Sequence, residues 1–362
     1  MLSNKWKELA FNIAEHSGVI SLFQFLGQNI RQHLYVLVYH RVDDHARCPW
    51  LDPALISAEP AQFNSQMRLI AEKYHPVSAE DVLSAIDGMQ PLPPNAVLVT
   101  VDDGYRDFSE VIFPITSQYG IKPVLFIPTA LVGRGPFWWE KLFTAVSNNP
   151  GPEISTPLGS FSIRSLEEKK QATRCLTQEV KKLPFEQGMQ IVDALYNDFI
   201  SRNSDDTRSI LTWDELRVLA RSGVTIAAHT HTHALLSRIP FEQACSEIRT
   251  SQEVIRSEIG KTLPIFAFPD GSPGSFTPEL VEFLRDEGFK FAVTTIEGSA
   301  SLSDDRVLCF PRIGFWPSHS LSTFHFHLTP VYNSFRKATQ LILRGSATVN
   351  CGRDNKAQIS TL

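Results

Sequence analysis

Short apolar runs alternate with amphipathic stretches along most of this chain, and that rhythm limits the fold more than any other feature. The runs at 34–39 (LYVLVY), 96–101 (AVLVTV), 123–127 (PVLFI), 225–228 (TIAA), 265–268 (IFAF) and 291–294 (FAVT) are rich in β-branched and aromatic residues. Each is four to six residues long and bounded by turn-forming or charged residues, which predicts buried strands. Between them, 60–73, 109–119, 212–221, 241–259 and 277–287 carry apolar residues at helical spacing. A shorter helix is predicted at 78–86, with Ser78 as N-cap and Asp81 three residues on. The segment 306–313 (RVLCFPRI) reads as the last strand. Alternation of this kind predicts an α/β fold built on a parallel sheet or barrel.

The rhythm breaks between about 134 and 210. A Gly/Pro/Ser-rich stretch at 148–162 is followed by charge-laced helical sequence at 165–182 and 184–200. We read this as an insertion within a domain spanning 34–335. An N-terminal helical segment (1–33) precedes that domain and a polar tail (336–362) follows it. In the N-terminal segment, Glu8, Asn12, Glu15 and His16 interrupt the apolar residues. That pattern suits neither a secretory signal nor a bilayer span. The expected location is therefore cytoplasmic, with the inner face of the membrane as an option. Trp6, Leu9 and Ile13, then Ile20, Leu22, Phe23 and Leu26, form apolar faces that would pack on the protein's own core or make peripheral membrane contact.

Composition narrows the function classes. Of 362 residues, 34 are basic and 39 acidic, a formal charge of −5, so no basic excess points to nucleic acid. The five cysteines (Cys48, Cys175, Cys245, Cys309 and Cys351) are scattered and odd in number. They suggest reduced thiols rather than a disulfide framework or a cysteine metal site.

Two constellations carry the chemistry. Asp102 and Asp103 follow directly on the 96–101 strand and precede Gly104. The C-terminal ends of strands face the active site in α/β barrels and open sheets. Two adjacent carboxylates in a cleft are costly unless a cation sits there, although turn aspartates before a glycine are the plain alternative. The second is His229-Thr230-His231-Thr232-His233, immediately after the 225–228 strand. Histidines four apart on a helical turn share one face and can chelate one divalent ion, leaving His231 pointing elsewhere. One carboxylate and two imidazoles leave coordination positions open for water, as catalytic sites require. Such a set suits Zn2+, and also binds Ni2+, Co2+ or Fe2+.

The stretches VTVDDGYRDF and AAHTHTHALL resemble the first two motifs of the polysaccharide deacetylases, the NodB-homology carbohydrate esterases of family four. The likeness extends to LYVLVYHRV, FWWEKL, LTWDELRVLARSGV, FAFPDG, and FAVTT followed by FPRIGF, so it spans roughly 35–315. It implies a distorted, incomplete (β/α) barrel with a helical insertion. It also implies a metal-dependent hydrolase that removes N-acetyl groups from an amino-sugar polysaccharide, oligosaccharide or lipid-linked glycan. Carried over residue by residue, Asp102 is the catalytic base, and Asp103, His229 and His233 hold the metal.

There are departures. Val101 stands where phenylalanine is usual, the FAFPDG segment lacks the arginine of many members, and no LxxH motif follows it. Leu37-Val38-Tyr39-His40 has that form but comes first, which resembles a permuted branch acting on poly-N-acetylglucosamine. His40 is then the candidate general acid, against the alternative of a structural histidine ending a strand. Arg312 is the candidate that orients the base, with Arg41 and Arg106 as rivals. Phe137, Trp138 and Trp139 would stack on sugar rings or cap a core, while Trp213, His325 and His327 read as packing residues. The competing functions are O-deacetylation or deformylation of a sugar, or carbohydrate binding without catalysis.

Overall fold

The computed structural model describes residues 33–44, 53–199, 209–303, 306–332 and 336. The expected N-terminal helical segment up to residue 32, with its membrane contact, and the tail after 336 lie outside these residues. Seven parallel strands form the centre: β1 (His33–Tyr39), β2 (Ala96–Val101), β3 (Val124–Ile127), β4 (Thr225–Ala228), β5 (Ile265–Ala267), β6 (Phe291–Glu297) and β7 (Phe310–Gly314). Each pairs with the next in the chain, and β7 pairs back onto β1. The ring is thus one strand short of the usual eight-stranded barrel. It is also distorted: β4 meets β5 only through Ala228 and Phe266, and the β6–β7 register shifts between Val293 and Glu297. The expected distorted, incomplete barrel is what forms.

Side chains on a strand point alternately to either face, so each strand is read in steps of two. Tyr35, Leu37 and Tyr39 of β1, Val97, Val99 and Val101 of β2, and Leu125 and Ile127 of β3 pack outward against the helices. Their alternates (Leu34 and Val36, Ala96 and Leu98, Val124 and Phe126, then Ala227, Ile265, Ala267, Phe291, Val293 and Phe310) form a second apolar cluster inside the ring. Every residue of β2 is buried, as expected for a strand covered on both faces.

Helices α1 (Pro60–Lys73), α2 (Ala79–Ile86) and α3 (Phe113–Gln118) belong to the first half of the barrel. Helix α2 contributes Val82, Leu83 and Ala85 to the inner cluster, beside Leu34 and Ala96 at the starts of β1 and β2. Its capping box forms as the sequence predicts: the Asp81 N–H donates to Ser78 Oγ and the Ser78 N–H to Asp81 Oδ2. The expected 109–119 helix starts earlier, as a wide π-helical turn over Phe108–Ile112. Pro114 explains this locally, because it has no N–H to give to the usual i−4 carbonyl.

Between β3 and β4 the chain leaves the barrel. It builds α4 (Trp138–Asn148), a hairpin of Glu153–Thr156 with Gly159–Ser162, α5 (Leu166–Val180) and α6 (Phe185–Phe199). Leu142, Val146, Ile154, Leu176, Val192 and Leu195 give these elements an apolar core of their own. The hairpin falls within the stretch that the sequence marks only as Gly/Pro/Ser-rich, because apart from Ile154 none of its strand residues is buried. The later helices are α7 (Trp213–Arg221), α8 (Phe241–Ile259), α9 (Pro278–Asp286) and α10 (Leu321–His327). The last strand is shorter than expected: Val307–Cys309 forms a 3-10 turn, and β7 begins at Phe310. Replacing the fully buried Leu176 by alanine opens a cavity in the excursion's core. We expect a loss of about 2–5 kcal/mol, read from urea unfolding of the variant against the parent chain.

Candidate metal centre and active site

The two-residue step of the strands leads directly to the site. Continuing the inward positions past the apolar layer gives His40 after Leu34, Val36 and Val38. It gives Asp102 after Ala96, Leu98 and Thr100, His229 after Ala227, and Arg312 after Phe310. Each strand therefore delivers its polar residue into the same end of the ring, the end at which the strands finish.

Asp102 and Arg312 meet there, fully buried. Arg312 donates from Nη1 to Asp102 Oδ1 at 2.8 Å and from Nη2 to Oδ2 at 2.7 Å, a two-pronged bond. Its Nε donates to the Thr294 carbonyl at 2.7 Å and Nη1 also reaches Thr100 Oγ1 at 3.1 Å. Burial pushes the Asp102 carboxyl upward in pKa. Burial is outweighed only by the Arg312 charge, His229, the Arg312 hydrogen bonds and His40 acting together, and the pKa is held down at about 2. His40 Nε2 lies 4.0 Å from Asp102 Oδ2 on a partly exposed ring. The rival arginines are engaged elsewhere. Arg41 faces Asp107 at 3.2 Å and Glu140 at 3.6 Å, and Arg106 pairs with Glu110 at 3.4 Å.

Asp103, His229 and His233 converge beside this pair. Asp103 Oδ1 lies 3.6 Å from His229 Nε2 and 3.3 Å from His233 Nε2, and one ligand atom from each residue falls within 4.8 Å of the others. The helical-turn explanation of the histidine spacing does not hold. Residues 229–233 form a loop, in which Thr230 and His233 take left-handed backbone angles of φ 66° and 60°. Those reversals bring the two rings together, centroids 4.8 Å apart. Asp103 is likewise left-handed (φ 76°), which turns its side chain away from that of Asp102. Gly104 follows at φ 75°, and a Cβ there would sit 2.9 Å from Ile127 Cγ2.

The donor set fits a cation. His229 Nδ1 lies 2.8 Å from the Ala267 carbonyl, which can only accept, so Nδ1 carries the proton and Nε2 presents its lone pair towards Asp103. Burial drives the His229 pKa down to about 4, so the ring is neutral at neutral pH. Asp103 Oδ1 is buried without a hydrogen-bond partner. Two lone pairs facing each other in a buried site repel unless a positive charge lies between them.

One supporting residue, Glu247, carried no sequence signal. Glu247 of α8 is buried and accepts from the His231 and Thr232 backbone N–H groups at 2.9 and 2.7 Å and from Thr232 Oγ1 at 2.8 Å. It clamps the loop that holds both histidines, yet in the sequence it is one more charge on an amphipathic helix. His231 points away from the centre, to Thr129 Oγ1 at 2.8 Å. Phe137 stacks on Trp139 (4.4 Å between centroids), and Trp139 meets the His233 ring edge-on at 4.9 Å. The Trp139 Nε1–H donates to Tyr105 Oη at 3.0 Å, and Arg41 lies 4.6 Å over the Tyr105 ring. Trp138 and Trp139 line a cavity of about 390 Å³ together with His40, Asp102, Phe268 and Asp270.

Glu140 closes this network from α4, accepting from the Phe137 backbone N–H at 2.8 Å. Burial raises its pKa to about 7, against the lowering effects of that bond and of Arg41. A raised carboxyl favours the folded state when protonated, so this contribution is full below about pH 4.5 and is lost as pH rises through about 7. Glu140→Gln removes the titration. Thermal unfolding followed from pH 5 to 8 should show a smaller fall in Tm for the variant than for the parent; parallel curves would refute the assignment.

Comparison with known proteins agrees with this geometry. Residues 89–292, more than half of the chain, match the family described as polysaccharide deacetylase. A stretch of 82 residues is 34% identical to the poly-beta-1,6-N-acetyl-D-glucosamine N-deacetylase of Escherichia coli K12. That stretch is 22% of this chain and 12% of the E. coli protein, so the chain spans only a small part of that relative's length. Among solved structures, Streptococcus pyogenes deacetylase PplD in complex with acetate superposes with a TM-score of 0.55 at 17% identity, covering 83% of this chain and 99% of that one. IcaB from Ammonifex degensii gives 0.53 at 16% identity, covering 82% and 96%. At such identities the structures speak for a shared fold, and the family match over 89–292, which contains Asp102, Asp103 and both histidines, adds the lineage: this chain belongs to the polysaccharide deacetylase family.

Proposed function

We propose that this protein is a metal-dependent hydrolase that removes N-acetyl groups from a glycan containing N-acetylated amino sugars, releasing acetate. The observation that carries the reading is the pairing of two carboxylates with different partners at the mouth of one barrel. Asp103 faces two imidazole nitrogens, while Asp102 is held apart from them by Arg312. The first arrangement suits a metal and the second a fixed, ionised base. The similarity to the E. coli poly-N-acetylglucosamine deacetylase supports an amino-sugar polymer as substrate.

Asp103, His229 and His233 would hold the ion, with zinc the best match to an O,N,N ligand set and nickel, cobalt or iron also compatible. When bound, such an ion acidifies water and polarises the acetamide carbonyl. Asp102 accepts the proton of the attacking water. Arg312 fixes the direction of both Asp102 oxygens and keeps the group ionised until that transfer. His40, exposed to the cavity and 4.0 Å from Asp102, gives a proton to the departing sugar amine. The amide C–N bond breaks, the carbonyl carbon keeps the water's oxygen as acetate, and the sugar leaves as a free amine.

Acetate release should be measured from N-acetylated oligosaccharides, with and without a chelator. We expect activity to vanish on chelation and to return with zinc, cobalt, nickel or iron. His229→Ala should lose bound metal and activity together, read by metal analysis of the purified chain. Asp102→Asn should keep the metal and lose about 10²–10⁴-fold in kcat. Full activity in Asp102→Asn would remove Asp102 from the role of base. Release of acetate only from O-acetylated sugars, or of formate, would redirect the substrate while leaving the centre intact. Glycan binding without turnover, in a chain with metal loaded, would favour a carbohydrate-binding role.

A further inference from the structure

Helix α5 lies in the excursion that interrupts the barrel, and no motif singles it out. Its residues fall into two stripes at helical spacing. Ala172, Leu176 and Val180 are buried in the apolar cluster shared with α4 and α6. The neighbouring stripe, Thr173, Thr177 and Lys181 with Gln178 alongside, lines the cavity that also contains Asp102, Asp103 and both metal-site histidines. One face of α5 therefore completes a core, and the other forms a wall of the reaction cavity.

We propose that this wall is the substrate-recognition surface of the enzyme, with Thr177 and Gln178 binding hydroxyl groups of a neutral sugar unit that adjoins the one being deacetylated. The proposal rests on the deacetylase reading above and adds where, and by what chemistry, the glycan is selected. Length is the first argument. From Thr173 to Lys181 is eight residues, about 12 Å of helix at about 1.5 Å each. A wall of that length reaches well past an acetamide group and onto the adjoining unit.

Chemistry is the second. Among the described residues, none hydrogen-bonds the Thr177 hydroxyl or the Gln178 side-chain amide, and both residues are at least partly exposed. Each can both donate and accept, which is what a sugar hydroxyl needs. The cavity also carries Trp139, a partly exposed ring whose apolar surface suits the C–H faces of sugar rings.

Charge is the third. The cation on the cavity stripe is already engaged: Lys181 Nζ donates to Asp270 Oδ2 at 2.5 Å, and Asp270 is also bonded to the Ser272 hydroxyl. Arg174, on the outer edge of the wall, pairs with Glu167 at 3.3 Å. The remaining hydrogen-bonding groups are uncharged, so the surface fits a neutral glycan rather than one bearing phosphate or uronate. The Lys181–Asp270 pair also fastens the end of α5 to the loop after β5, which keeps the wall in place over the site.

The test compares a neutral N-acetylated oligosaccharide with the matching monosaccharide, using the metal-loaded full chain. In the double variant Thr177→Val/Gln178→Leu, KM for the oligosaccharide should rise about tenfold, the loss of one or two hydrogen bonds, with kcat changed by less than about twofold. The monosaccharide KM should move much less. Lys170→Gln, on the same helix but outside the cavity, should leave both unchanged and so controls for damage to the fold. Calorimetric binding of the oligosaccharide should weaken by the same factor in the double variant, a readout independent of turnover. An unchanged oligosaccharide KM and affinity, an equal loss on both substrates, or tighter binding of a uronate-bearing oligosaccharide than of the neutral one would overturn the proposal. If the parent chain releases no acetate from either sugar, the deacetylase reading fails, and the binding experiment alone then decides whether α5 recognises the glycan.

Discussion

A buried guanidinium–carboxylate pair is the interaction on which the site depends. Arg312 is fully enclosed, and its charge is balanced inside the ring by Asp102. Removing either partner would strand an uncompensated charge in an apolar barrel, at a cost of about 3–5 kcal/mol. The pair is satisfied beyond its own two bonds, since the Thr294 carbonyl and the Thr100 hydroxyl take further donors. That completeness makes a charged interior tolerable. It also separates the two aspartates chemically: one is saturated by a cation of the protein, and the other keeps an oxygen unpartnered beside two imidazoles. Neighbours in sequence thus acquire different roles from their surroundings.

The polar floor of the cavity has a second layer of support away from the strands. Glu247 reaches in from α8 to hold the histidine loop, and the Arg41, Tyr105, Trp139 and Glu140 network ties α4 to the same side of the site. The loop needs such bracing because two of its five residues are left-handed. Non-glycine residues hold that conformation only where their surroundings enforce it. The excursion between β3 and β4 is therefore part of the site's architecture. It supplies Trp139 against His233 on one side and the α5 wall on the other.

Much of this was legible in the sequence, for identifiable reasons. The barrel strands announce themselves because a strand covered on both faces must be apolar throughout, and the start of α2 follows from its cap, Ser78. The candidate metal-site residues stand out because three histidines in five positions are rare directly after a strand and Asp102-Asp103-Gly104 also follows a strand end. The strand alternation also carries information that a motif search passes over: counting inward positions in twos leads from Leu34 to His40 and from Phe310 to Arg312. What could not be read was long-range. Glu247 and Lys181 look like ordinary helix-surface charges until the fold places their partners 15 and 89 residues away. The left-handed angles at Thr230 and His233 were hidden too, since neither residue type signals them, and a helical turn gives the same spacing by a different route.

The ring has one further consequence. Because β1 is hydrogen-bonded to β2 on one side and to β7 on the other, no strand is first or last in space. The order in which the chain visits the staves is only a matter of where the circle was cut. A histidine that precedes the metal ligands along the chain can occupy the same seat as one that follows them, and the cavity would not register the difference. Reordering of the chain costs this architecture little so long as each stave keeps its two neighbours.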